Sequence, residues 1–514
     1  MSKQRKYFVF ILVFFILYCF FLSWSFLFQN VDDAYISYRY GKNLMEGKGL
    51  VYNQGEYVEG YTNFLWTIIT APFTQIKSVD VSIFSSTLGL LISMANILMV
   101  ALIAKMFSGN LIRYLKYLIL LPALFMALDD SIAFWAIGGM EFPLYTLFIL
   151  GITYSYFRIN DSKKYLFYMI ALLMLCTLSR PEGNMIIVIT LAHMFLFRKR
   201  INDFWKVFFT IVIAYALFCV AYYGFKYIFY GQLIPNTFYA KGVTDFKMNL
   251  VLGTKYLALC VGTRIYIFIF ILFIPFKKAF TDKKQSYLVG FVVIYISYIV
   301  AVGGDWMIAN RFFVPIIPML YILSVIGFLN VISKISDYLK NESKAIRIAR
   351  ITASVMAIAL FISTLSLLEY KQLIIKDNNA RYEMQWSMFG KWLNMNVDPN
   401  TVIAVGPAGK IPYYSELYTI DMWGLNNDYI AKTDSKRLQA GHKKFDIEYV
   451  DNQSLWLDAN IEYVLSLDPE YIIGYAGFTD EDISEKYEKF NAPEDKYKCD
   501  DVVFRLKPEF RKVK

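Results

Sequence analysis

Histidine occurs only twice in this chain, at His193 and His442. Two residues in separate segments do not build a His-based metal site. His193 lies in an apolar run near its basic end and reads as a packed or interfacial residue. Cysteine is almost as scarce, with five in all. Cys19, Cys176, Cys219 and Cys260 fall in apolar runs or at their edges, and Cys499 stands alone near the C-terminus. A disulfide framework and a CxxC metal motif are therefore both excluded. Internal repeats, low-complexity linkers and nucleic-acid motifs are also missing. The opening MSKQRKYFVFILVFFILYCFFLSWSFLF has the basic start and apolar core of a signal peptide. Its core is too long, however, and lacks a small-residue cleavage site, so it reads as an uncleaved first helix.

Polarity itself is in short supply. Hydrophobic residues make up 57% of the 514, aromatics 18%, and the mean hydropathy is +0.42. Soluble domains hold about 45–50% apolar residues, and the excess is arranged in runs of about twenty, the length that crosses a bilayer. The net charge of +10 is unevenly placed. Residues 369–514 hold 19 Lys+Arg against 25 Asp+Glu, leaving an excess of +16 in the first 368. Most of that excess sits in short loops between apolar runs, the mark of loops retained inside the cell.

Placing those basic loops inside predicts about eleven transmembrane helices, near 7–28, 82–106, 116–128, 142–158, 165–178, 184–197, 207–229, 261–276, 287–302, 312–331 and 349–368. The segment 62–76 is short, carries Pro72, and would invert every later loop if it crossed. It is expected to be re-entrant or interfacial on the outer face. The predicted fold is thus a membrane all-α domain over 1–368 followed by a soluble extracytoplasmic α/β domain over 369–514. In that tail, 379–394 suits a helix, TVIAVG at 401–406 a buried strand, and PEYIIGY and DVVFRLK two more strands. The N-terminus is expected in the cytoplasm and the tail outside a bacterial inner membrane.

This topology gathers ionisable residues on one face: Asp32, Asp33, Arg39, Glu59, Asp129, Asp130, Glu141, Arg180, Glu182, Lys241, Asp305 and Arg311. Wet helix ends account for any one of them. The ensemble mixes carboxylates and cations, and such groups at membrane depth are costly and usually functional. Adjacent carboxylates after a membrane helix repel each other, which can bring one into a range useful for proton transfer. Arg39, Arg180, Lys241 and Arg311 suit an anionic group such as phosphate. On spacing alone, a helix cap or a solvated loop explains the Asp pair equally well.

The stretch DDAYISYRYGKNLMEGKGLVYNQGEYVEGYTNFLW resembles the first outer loop of a GT-C superfamily branch. That branch contains the mycobacterial terminal arabinofuranosyltransferases and related envelope glycosyltransferases. GGMEFPLY at 138–145, SRPEG at 179–183, GQLIPNTFYAK at 231–241 and GGDWMIANRFFVPIIP at 303–318 follow in the family's order. GPAGKIPYYSELYTIDMWGLNNDYIAK at 406–432 and AGHKKFD at 440–446 extend the similarity into the tail. The residues Trp306-Met307-Ile308-Ala309-Asn310 after GGD depart from the basic or His-containing stretch of the mycobacterial members, which puts the sugar or acceptor in question.

The resemblance implies a GT-C fold and transfer, on the outer face, of a sugar from a polyprenyl-phosphate carrier. The best guess for that sugar is arabinofuranose, and the acceptor an envelope glycan, lipid-linked saccharide or protein. It implies Asp33, with Asp32 the close alternative, as the catalytic carboxylate. Donor contacts fall to Arg39, Glu59, Tyr61, Asn63, Glu141, Arg180, Glu182, Asn236, Lys241, Asp305 and Arg311. Acceptor contacts fall to His442 and Asp421, although His442 equally suits a loop-stabilising role. No cofactor is firmly implied; a carboxylate-bound Mg²⁺ or Mn²⁺ is compatible with the family, and an Asp–Arg network is the plain alternative. A polysaccharide polymerase or ligase would place a large outer loop between late helices. A transporter or flippase would show charges in mid-helix, paired broken helices and often a repeat.

Overall fold

The computed structural model describes residues 30–511 outside 77, 108–117, 241–245, 306, 375–379, 439–457, 475–482, 484, 493–496 and 498–502. The predicted helix at 7–28, Lys241 and His442 lie outside the described residues. The chain forms two compact units: residues 1–28, 85–220 and 249–370 make one, and 29–84, 221–248 and 371–514 the other. The expected first outer loop thus belongs to the same unit as the tail.

Five described helices are long and apolar enough to cross a membrane: Val81–Lys105, Phe204–Tyr230, Lys283–Ala301, Ile317–Leu339 and Glu342–Ile362 within a longer helix. Two bent pairs raise the total to seven when each counts as one span. The expected helix at 116–128 is half of the pair Leu118–Leu128 and Asp130–Ile137, bent by 54°. The bend sits at Asp129, whose side chain caps the second half by accepting from Ser131 N at 2.9 Å and Ile132 N at 3.1 Å. The expected 261–276 is likewise one arm of Phe246–Gly262 and Ile265–Phe273, bent by 80°. The runs at 142–158 and 184–197 form helices of 16 and 14 residues, Phe142–Phe157 and Gly183–Leu196, shorter than the about 17–25 residues of a typical span. Segment 62–76 forms a seven-residue helix, Phe64–Thr70, and a 3-10 turn, Ala71–Gln75, too short to cross.

The tail builds a five-stranded sheet in the order β2-β1-β3-β5-β4. Its strands are β1 Val402–Val405, β2 Tyr418–Asp421, β3 Tyr471–Ile473, β4 Tyr487–Lys489 and β5 Val503–Leu506. β1 runs parallel to both neighbours, whereas β5 is antiparallel to β3 and β4. Alternation along β1 sends Ile403 and Val405 into a core with Phe389, Leu393 and Ile411. Ala404 faces the opposite core with Ile420, Ile430 and Val464. Both faces are therefore covered by helices, as a parallel core requires. Because β2 and β3 flank β1 on opposite sides, the strand order switches at β1, and it is at the carboxyl end of such a strand that open α/β sheets usually hold ligands.

The first-loop helix, Asp32–Met45, packs into the tail core through Ile36 and Tyr40. Arg39, 6% exposed, holds the two segments together. Nε donates to the Tyr52 carbonyl at 2.8 Å, and Nη2 donates to the Leu417 carbonyl at 2.7 Å and Asn53 Oδ1 at 3.0 Å. Nη1 donates to the Pro412 carbonyl. Arg39→Met would keep the aliphatic stem but remove four buried charge-assisted hydrogen bonds, each contributing about 1.5–3 kcal/mol. The expected result is a marked fall in melting temperature and rapid proteolysis of the tail in the purified full-length protein.

Candidate active site

The Asp pair occupies the first turn of helix Asp32–Met45, after Val31. Successive helical residues point about 100° apart, so the two carboxylates have different surroundings. Asp32 accepts from the main-chain N–H of Gly409 at 2.8 Å and of Lys410 at 2.7 Å. Asp33 is half-buried and lies near enough for its charge to act on Asp421.

Behind them a polar network knits the loop to the tail. Asp421, fully buried at the end of β2, accepts from Trp423 N at 2.9 Å, Asn426 N at 2.8 Å and Asn426 Nδ2 at 2.9 Å. Tyr40 Oη accepts from Gly60 N at 2.8 Å and lies 2.7 Å from the Val58 carbonyl and 3.1 Å from Asn426 Oδ1. Asn236 Nδ2 donates to the carbonyl of Gly424 at 2.8 Å and lies 3.2 Å from those of Leu425 and Asn427. Gly60 must be glycine, because a Cβ there would overlap the Asn426 side chain. Tyr61 Oη meets Tyr230 Oη at 3.1 Å, and Asn63 accepts from Ser37 Oγ at 2.9 Å. Glu59 pairs with Lys226 at 2.8 Å, both 5% exposed at the side chain. Burial pushes the Glu59 carboxyl up to about 7, and the Lys226 charge draws it partly back.

The other unit assembles its own set. Arg180 binds Glu141 at 2.5 Å and holds Glu182 through two nitrogens at 2.9 and 3.1 Å. Tyr298 Oη also donates to Glu182, at 3.0 Å. Arg311 grips Asp305 through two bonds of 2.6 and 2.8 Å. Phe142 and Phe312 each lie within 6 Å of both guanidiniums, so the GGME, SRPEG and GGD motifs meet in one cluster. A second network joins Arg264 to Asp129 at 2.7 and 3.1 Å and to Asp130 at 3.1 Å, with Tyr321 Oη on Asp129 at 2.6 Å.

Several expected site residues therefore have internal partners. Arg39, Glu59, Tyr61, Asn63 and Asn236 are buried between the loop and the tail or the nearby helix. Arg39, expected at the donor phosphate, spends its donors chiefly on backbone carbonyls. Asp421, expected at the acceptor, instead organises a turn inside the fold. Arg180 and Arg311, expected to hold phosphate, are bound to carboxylates. Arg264 and Lys226 escaped the sequence reading, although each is a lone cation in an apolar run, a recognised signal. Among the described residues no group of three or more His, Cys, Asp or Glu side chains could hold a metal ion.

Burial raises the Asp421 carboxyl from its ordinary 3.8 to about 6, against the pull of its N–H donors. In the unfolded chain this group ionises first, so stability falls as pH rises from about 4 to about 6 and is level above. Thermal melts across that window should show the decline, and Asp421→Asn should make it shallower, leaving the share of Glu59, whose raised carboxyl acts in the same direction up to about pH 7. Arg264→Met strands two buried carboxylates, a loss on the order of 3–5 kcal/mol. The variant should melt well below wild type in detergent, while Arg264→Met with Asp129→Asn and Asp130→Asn should recover part of the difference.

Residues 374–506 match a family described as a domain of unknown function (DUF8728). No curated protein is similar in sequence. Among solved structures, ArnT from Cupriavidus metallidurans in the apo state aligns with a TM-score of 0.62 at 11% identity, covering 98% of each chain. The same protein bound to undecaprenyl phosphate gives 0.59 at 10%, covering 96% of this chain and 97% of that one. The Archaeoglobus fulgidus oligosaccharyltransferase, in complex with Zn and sulfate, gives 0.53 at 12%, covering 90% of this chain and 67% of that one. The chain therefore has the fold of ArnT along nearly its whole length.

Proposed function

We propose that this chain is an integral-membrane glycosyltransferase that takes its sugar from a polyprenyl-phosphate carrier. The observation that carries this reading is the end-to-end fold match with ArnT, one of whose structures is bound to undecaprenyl phosphate. The ordered motifs support it, because they assemble two polar clusters instead of scattering along the loops.

In this reading Asp33 takes the proton of the acceptor hydroxyl as the acceptor oxygen bonds to the anomeric carbon. The bond from that carbon to the phosphate oxygen breaks, and polyprenyl phosphate leaves. A phosphate already carrying negative charge leaves without an external acid, so the burden falls on a base and on cations. Lys241 and the carboxylate-braced Arg180 and Arg311 are the proposed cations. Bidentate pairing fixes a guanidinium in place. Glu141, Glu182 and Asp305 thereby act on the donor through the arginines they hold, and Glu59, Tyr61, Asn63 and Asn236 shape the loop. A divalent Mg²⁺ or Mn²⁺ at the donor remains part of the proposal only as something to add to the assay.

The sugar proposed is arabinofuranose, and the acceptor an envelope glycan, lipid-linked saccharide or protein met by the 440–446 segment with His442. Residues 1–368 form the proposed catalytic membrane domain and 369–514 the extracytoplasmic one, in a bacterial inner membrane with the N-terminus inside. Purified protein in nanodiscs, given a panel of polyprenyl-phosphate sugars with and without Mg²⁺, tests the reading. Wild type should release polyprenyl phosphate from one donor, and Asp33→Asn should lose at least 10²-fold in kcat while still binding it. Normal turnover by Asp33→Asn would remove the assigned base, and movement of intact lipid-linked sugar across the bilayer would favour a flippase.

A further inference from the structure

Asp32 and Gly409 meet in a way that neither general base catalysis nor acceptor recognition by the tail requires. Both oxygens of the Asp32 carboxylate are taken by successive N–H groups of the turn after β1. Gly409 is bare for the same reason, since a Cβ there would overlap the Asp32 carbonyl and its carboxyl carbon. The φ of Gly409 is −101°, so approach of the loop, not a left-handed backbone, demands the missing side chain.

Neighbouring contacts extend the docking from this turn along the edge strand β2. Tyr52 Oη donates to the Ala408 carbonyl at 2.6 Å. Asn53 pairs with the main chain of Thr419 in both directions, donating at 2.8 Å and accepting at 3.1 Å. Arg39 donates to the carbonyls at Pro412 and Leu417. The carboxyl end of β1 is where an α/β sheet with this strand order would bind a ligand anion. Here the anion is supplied by the chain itself.

We infer that the tail is a socket for the first loop, in which Asp32 is a positioning residue that sets the orientation of Asp33. The carboxyl end of β1 accordingly takes no substrate anion. The two acids divide the work by helical geometry: one side chain turns into the socket, and the next residue turns about 100° away. This rests on the glycosyltransferase reading only for what Asp33 does; the docking itself stands on geometry.

Hydrogen exchange and kinetics on the full-length protein in nanodiscs test both parts, using the polyprenyl-phosphate sugar that wild type consumes. Asp32→Asn offers only one acceptor oxygen and sets an NH₂ against an N–H donor. It should speed exchange of the Gly409 and Lys410 amides by at least tenfold and lower kcat by 10- to 100-fold. Donor KM should stay within about twofold, and the pH–rate profile should keep its shape. Gly409→Ala should reproduce these changes from the other side of the contact; if it does not fold, Asp32→Asn carries the test. Asp33→Asn should leave the exchange at wild-type rate while turnover is lost. Loss of turnover in Asp32→Asn with unchanged exchange, or faster exchange with normal kcat, would overturn the inference. If wild type consumes no polyprenyl-phosphate sugar, the transferase reading fails alone, and the exchange result still decides whether Asp32 docks the loop.

Discussion

A buried guanidinium with no carboxylate paired to it among the described residues holds this loop and tail together. Arg39 is almost fully enclosed, and burial lowers its hold on its proton, yet its hydrogen bonds go to three main-chain carbonyls and one side-chain amide. Such a cation is tolerated only where fixed dipoles replace water. Here they come from Tyr52 and Asn53 and from Pro412 and Leu417 in the segment between β1 and β2. The arrangement ties register to charge: a slip of the loop by one residue would break the carbonyl cage around a charge that cannot be neutralised. Tyr52 adds its ring face at 4.4 Å, and its hydroxyl reaches Ala408, so a single residue both shields the cation and meets the turn after β1.

The other unit solves a related problem with the opposite materials. Arg180, Arg264 and Arg311 each lie against acidic partners, and the carboxylates Glu141, Glu182, Asp129, Asp130 and Asp305 outnumber them. Each guanidinium makes at least one two-point contact with a carboxylate, a geometry that lysine cannot copy. Side chains held this way lose little freedom when a ligand arrives, which is what a preorganised site needs. The rings of Phe142 and Phe312 lie within cation–π reach of both Arg180 and Arg311.

Much of this was legible in the sequence because membrane constraints write large signals. Apolar runs located Val81–Lys105, Phe204–Tyr230 and Ile317–Leu339 within a few residues, apart from the last helix's C-terminal turns. Hydropathy misjudged the bends. A run such as VGTRIYIFIF reads as one span, whereas Arg264 must turn toward Asp129 and the helix breaks around it. β1, β3 and β5 were visible as short apolar stretches; β2, YTID, and β4, YEK, were not, since too few residues alternate to reveal a period. At the candidate site, residue types and motif order were readable but partners were not. Nothing in local spacing tells that Arg39 will meet Pro412, 373 residues away, or that Asp421 will face inward.

The adjacent acids at 32 and 33 show why motif position alone left two assignments open. Two like charges on neighbouring residues are normally a liability, and either could serve as cap, base or solvated surface. Tertiary structure separates them by giving one carboxylate two N–H partners. An anion satisfied in that way exerts less repulsion on its neighbour than a bare one. It also anchors the first turn of its helix to the sheet, so that the direction of the following side chain is set by the tail 377 residues away in sequence. A solvated loop could supply the same carboxylate chemically but not the same orientation. Asp33 has a defined direction because Asp32 has a fixed one, and Gly409 is bare so that the two segments can meet.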